Sequence, residues 1–124
     1  MAAIDGLLAT NDRALLALYA ALPSLGANRQ TSSYTLVLTD AGRVVELNSA
    51  SANTLTVPAN SAVPFDVGTC IEVGQYGAGQ TTISPGSGVT IRSYNNKVNL
   101  AGQYAGASLR KIGTDEWWLF GNLT

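Results

Sequence analysis

Residues 69–93, TCIEVGQYGAGQTTISPGSGVTIRS, constrain the fold of this chain more than any other stretch. Apolar and polar residues alternate through 69–75, with Ile71 and Val73 on one face and Cys70, Glu72 and Gly74 on the other. Further short strands are expected over 80–84 and 89–93, set off by Gly77, Gly79, Pro85, Gly86 and Gly88. Alternation with a period of two, cut by Gly and Pro, is the pattern of half-buried strands joined by tight turns. The glycines of GQYGAG superficially resemble a phosphate loop. They lack the strand–loop–helix context and the GK[ST] ending, so a hairpin turn is expected there.

The rest of the body follows the same grammar. Strands are predicted over 34–39 (Tyr34, Leu36 and Leu38 on one face), 43–48 (Val45 and Leu47), 54–57 (Leu55 and Val57), 98–100, 107–112 and 116–121. Asp40-Ala41-Gly42 predicts a hairpin joining 34–39 to 43–48, and Gly113-Thr114-Asp115 a second joining 107–112 to 116–121. The segment 58–68 holds two prolines and is expected to cross between sheets or wrap an edge, with Phe65 and Val67 tucked beneath it. About eight short strands with frequent turn signals predict a mainly β fold, a compact antiparallel sandwich or barrel. No period of 20–50 residues is apparent. The closing strand, EWWLFG, is apolar on both faces: Trp117, Leu119 and Gly121 on one, Trp118 and Phe120 on the other. Such a strand is expected to pack on the core and on a neighbouring subunit at once. Trp117, Trp118 and Phe120 are therefore the candidate interface residues.

Residues 1–22 read as an N-terminal helical arm, rich in Ala and Leu and ended by Pro23. A heptad frame places Ile4, Asn11 and Leu18 at one core position and Leu8, Leu15 and Leu22 at the other. Two packings are open: an arm against other subunits, or an amphipathic helix against the chain's own β-domain. Residues 23–33 read as a linker, and 34–124 as the β-domain.

Composition narrows the function. The chain has 124 residues, with 7 Lys+Arg against 8 Asp+Glu, and charged residues make up only 12%. That balance argues against nucleic acid as a partner, since phosphate binding needs a clustered basic face. A surface this weakly charged favours self-association. There is no His, and Cys70 stands alone, so neither a Ser-His-Asp triad nor a cysteine metal cluster is available. No cofactor or metal is expected. Cys70 is expected to be a buried structural thiol. No apolar run reaches the roughly 18 residues of a membrane span, and no signal peptide is apparent. Asp40, Asp115 and Glu116 fall in or beside predicted turns, while Glu46 and Glu72 are expected to face solvent or pair with Arg43 or Arg92. No carboxyl pair for glycoside hydrolysis is therefore expected. Tyr76, Tyr94 and Tyr104 stand in or beside Gly- and Asn-rich turns, where they are either glycan contacts or rings packed inward with a wet hydroxyl.

Several of these pieces occur together in a known family. The TDAG hairpin, NTLTVP, GTCIEVGQYGAG, PGSGV and the closing GTDEW resemble the β-domain of virion proteins of tailed bacteriophages and prophages. The resemblance covers roughly 33–124 and does not extend to the Ala/Leu-rich arm. It implies a domain without enzymatic activity, carried by fibres, spikes or decoration proteins and often trimeric. With a short chain beginning at Met1, it leads us to expect a capsid decoration, cement or head-fibre protein, made in the bacterial host cytoplasm and located in the virion. Its expected partners are two further copies of itself and the major capsid protein or other virion proteins, with residues 4–22 as anchor. The alternatives are a tail or baseplate adaptor and a module that binds a host glycan.

Overall fold

A computed structural model describes residues 26–124. The expected helical arm, with Ile4, Leu8, Asn11, Leu15, Leu18 and Leu22, lies outside the described residues. The described part is mainly β. Its strands are β1 (Asn28–Gln30), β2 (Tyr34–Thr35), β3 (Val44–Leu47), β4 (Asn53–Val57), β5 (Cys70–Gln75), β6 (Thr81–Pro85), β7 (Thr90–Arg92), β8 (Gly106–Gly113) and β9 (Glu116–Gly121). A six-stranded sheet runs β1-β3-β5-β8-β9-β7, and a three-stranded sheet runs β2-β4-β6.

The chain alternates between the sheets from β1 to β7. Odd strands join the large sheet and even strands the small one, so β1, β3 and β5 stack in parallel, as do β2, β4 and β6. Parallel neighbours need a crossover connection. Here the crossover is a strand of the opposite sheet, which buries the inner faces of both. The β8–β9 hairpin then enters the large sheet antiparallel to β5, and β7 closes the far edge parallel to β9.

The inner faces meet in one core. Val45, Leu47, Ile71, Val73, Ala107, Leu109, Trp117 and Leu119 come from the large sheet, and Leu55, Val57 and Ile83 from the small one. Phe65, from the crossing segment, meets Trp117 edge to face at 5.5 Å. Lys111 belongs to the same inner face and is almost fully buried. Its Nζ donates to Asn60 Oδ1 and to the Phe65 carbonyl, both at 2.6 Å.

Two coils of this stack share a fixed register. Val45 lies beside Val73 and Leu55 beside Ile83, in each case 28 residues apart. The connecting turns superpose as well. A Cβ on Gly77 would meet Ser49 N at 2.5 Å, and one on Gly79 would meet Ser51 O at 2.0 Å, so neither position has space for a side chain. Beneath these turns lies a buried polar ladder. Thr81 Oγ1 donates to Asn53 Oδ1 (2.7 Å), Asn53 Nδ2 reaches the carbonyls of Ser51 and Gly79, and Gln75 bonds the Gly77 carbonyl and the Thr81 amide. Buried polar groups persist when satisfied in this way.

Several expectations are corrected here. The pairings are mixed, with five of seven parallel, rather than antiparallel throughout. One pair of successive coils is offset by 28 residues, while the first coil is shorter, with Asn28 beside Val45 and Tyr34 beside Leu55. Asn28–Gln30, read as linker, is the outermost strand of the large sheet. The first hairpin does not form, because β2 and β3 belong to different sheets. The chain between them folds instead around the buried carboxylate of Asp40 in a 3-10 turn, Leu38–Asp40. That carboxylate accepts from Tyr34 OH (2.7 Å), Asn28 Nδ2 (2.9 Å) and the Val37 amide (2.9 Å). Leu38 is exposed on this turn, and Val67, expected beneath the crossing segment, is exposed as well. Cys70 is exposed too, because the register puts it on the outward face. The C-terminal hairpin forms as expected.

The Asp40 turn makes stability sensitive to high pH. Burial, and then the bond to Asp40, raises the Tyr34 phenol above its ordinary 10.0. A raised folded-state pKa means that folding favours the neutral phenol. Its contribution is complete below pH 10.0 and disappears as pH rises through the raised value. The urea midpoint is expected to fall above pH 10.0, and Tyr34→Phe should remove that part of the decline.

Candidate functional site

The outward face of the six-stranded sheet carries the most unusual set of side chains. Strand parity sends every second residue outward, and the register arranges them in cross-strand rows. One row runs Arg29, Glu46, Gly74, Gly106. The next runs Val44, Glu72, Ser108, Phe120. A third runs Cys70, Arg110, Trp118, Arg92. Trp118 and Phe120 contact each other at 4.7 Å between ring centroids and stay 46% and 41% exposed. On β9, Trp118 has Arg110 of β8 on one side and Arg92 of β7 on the other, whereas Phe120 lies beyond the end of β7 and pairs only with Ser108 of β8.

The first two rows floor an open cleft of about 520 Å³. Its base is the facing pair Gly74 and Gly106. Arg29 closes one side, with its guanidinium bonded to Glu46 Oε2 at 2.7 Å and stacked 3.8 Å over the Tyr76 ring. The Glu46 carboxylate raises the Arg29 pKa above its ordinary value. Tyr104 meets Tyr76 edge to face at 5.6 Å, and Phe120 stands on the opposite wall. Glu72 Oε2 accepts from Ser108 Oγ at 2.6 Å. Tyr104 holds its place at a backbone cost: its φ is +69°, a region side chains rarely adopt, and the residue is 72% exposed. Its amide donates to the Gln75 carbonyl at 2.6 Å.

The candidate residues of the sequence separate accordingly. Tyr76 and Tyr104 come together at the cleft. Tyr94 does not. It follows β7 at the far edge of the sheet, exposed, with Lys97 Nζ 5.9 Å from its ring centroid. Trp118 and Phe120 share the outward face, whereas Trp117, expected at the interface, is 1% exposed and belongs to the core. Glu46 pairs with Arg29 rather than Arg43, and Arg92 pairs with Glu116. Asp115, expected to be solvated, accepts from the Asn60 amide at 2.7 Å. Arg29, Glu46, Glu72, Gly74, Gly106 and Ser108 were not singled out by sequence as site residues. Parity alone places several of them outward, but their convergence depends on the strand order.

Chemically the cleft offers aromatic ring faces and edges, two carboxylates already engaged as acceptors, a guanidinium and a hydroxyl. Among the described residues, no group of three or more Cys, Asp or Glu could hold a metal ion. Comparison with family models, curated proteins and solved structures gave no match.

Proposed function

We propose that the chain is a non-enzymatic structural subunit of a tailed-phage virion. It assembles as a homotrimer through the outward face of β9 and attaches to the particle as a decoration, cement or head-fibre protein. The observation that carries this reading is the Trp118–Phe120 pair, half-exposed side by side on the outward face of β9. Large exposed aromatics flanked by cations, here Arg92 and Arg110, match the composition of protein interfaces. The parallel stack and its satisfied polar ladder suit a rigid building block. The resemblance of TDAG, GTCIEVGQYGAG and GTDEW to phage β-domains supplies the virion setting. Residues 4–22 remain the proposed anchor, and a set of three arms would raise the effective concentration at the capsid.

The test is to purify particles from cells that carry the gene, identify their proteins by mass spectrometry, and locate the chain by gold-labelled antibody. Label over the head is the expected result. Label at the tail or baseplate would move the assignment to an adaptor. Particles that lack the chain would overturn the virion assignment.

A further inference from the structure

We infer that the cleft over Gly74 and Gly106 is a binding site for a short, uncharged oligosaccharide. The inference goes beyond the assembly reading and does not depend on it. Three independent observations point to a ligand from outside the chain.

The first is the floor. Glycine within a strand weakens it, and often marks a place where a ligand or another backbone comes close. Gly77, Gly79 and Gly121 are glycines because the chain's own backbone fills the space of a Cβ. Gly74 and Gly106 differ. A Cβ at Gly74 would meet nothing nearer than Glu46 Cγ at 3.9 Å, and one at Gly106 nothing nearer than the Val73 carbonyl at 3.5 Å. Neither has a left-handed φ. Internal packing therefore does not require these two glycines, yet they face each other and keep the middle of the sheet bare.

The second is Tyr104. An exposed tyrosine held at φ +69° lowers stability without adding to the core. What this conformation achieves is to set its ring against Tyr76 at the cleft. The third is the match of the lining to sugar. The apolar face of a pyranose packs on aromatic rings, which Tyr76 and Tyr104 supply without Phe120, the residue given to assembly. Its hydroxyls pair with carboxylates, guanidinium and hydroxyl, which Glu46, Glu72, Arg29 and Ser108 supply. The cleft volume, about 520 Å³, lies within the range of small-molecule sites. Two carboxylates against one guanidinium disfavour acidic sugars and select an uncharged chain.

The experiment probes the full-length protein with an array of short oligosaccharides of neutral hexose, N-acetylhexosamine and uronic acid types, followed by titration of the strongest binder. Gly74→Leu should fill the hollow, and Tyr104→Gly should remove the ring while relieving the backbone. Binding of neutral glycans is expected, weakened roughly tenfold or more by either variant, with the thermal midpoint held in Tyr104→Gly. No array signal at millimolar ligand, signal confined to uronic acids, or binding untouched by both variants would each overturn the inference. If Gly74→Leu instead abolishes self-association with no glycan bound, the hollow seats a second copy and the inference also fails. A chain that assembles through β9 but binds no glycan overturns this inference alone.

Discussion

Gly79→Ala is expected to destabilise the domain by about 3 kcal/mol or more. The added methyl would sit 2.0 Å from Ser51 O and 2.3 Å from Ser51 C, both backbone atoms of the turn below. A flexible side chain could swing aside from such a contact, but a hydrogen-bonded turn cannot do so cheaply. Separating the two turns would also stretch the Gly79 amide bond to the Ser49 carbonyl and the buried ladder of Asn53, Thr81 and Gln75. Each buried polar group left without a partner costs about 1–3 kcal/mol. Gly102→Ala is the control. Its Cβ would meet nothing within 4 Å and its φ is not positive, so a change within about 0.5 kcal/mol is expected. Urea unfolding followed by tryptophan fluorescence measures both. If Gly79→Ala proves as stable as Gly102→Ala, the superposed turns are wrong.

Lys111→Met should cost about 2–4 kcal/mol although it roughly preserves side-chain volume. The Lys111 ammonium donates to the part-buried Asn60 Oδ1 and the buried Phe65 carbonyl, and so ties the 58–68 crossing segment to β8. The backbone repeats the connection, since Lys111 N donates to Thr69 O and Gly68 N donates to Lys111 O. Methionine would leave the buried Phe65 carbonyl without a partner, next to an aromatic pair, Phe65 and Trp117, that depends on the same segment. Arg110→Met, one residue away on the outward face, is the comparison and should change stability by less than about 0.5 kcal/mol. Equal unfolding midpoints for the two variants would contradict this role for Lys111.

Lys111 shows where sequence reading succeeds, and Gly79 where it fails, since the strands on either side of its turn form no hairpin but belong to different sheets. Parity alone sets Ile71 and Val73 inward and Glu72 and Gly74 outward, and it puts Lys111 on the face of Ala107 and Leu109, whereas the expectation of a buried Cys70 goes against parity and fails. Parity is blind to partners, because a strand alternates identically whether its neighbour runs parallel or antiparallel. The TDAG turn therefore read as a hairpin, when its Asp40 is held instead by Tyr34 and Asn28. The 28-residue offset between two coils is hidden for a similar reason. Val45 over Val73 and Leu55 over Ile83 pair like with like, but Leu47 lies beside Gln75 and Val57 beside Pro85. The candidate site was half legible. Tyr76 and Tyr104 could be named from their turns. The bare floor between them needs Glu46, Gly74 and Gly106 to be neighbours, and only the strand order β3-β5-β8 makes them so. The same order brings in Arg29, from a segment too short and polar to read as a strand.

The central claim is that copies of this chain associate through the outward face of β9. Sedimentation equilibrium at micromolar concentration tests it most directly. The unaltered protein is expected as a species of three chains of 12.9 kDa each. Trp118→Ser with Phe120→Ser should give a single chain of unchanged thermal midpoint, because both side chains point away from the core. An unaltered protein that sediments as one chain, or a double variant that still assembles, would contradict the claim.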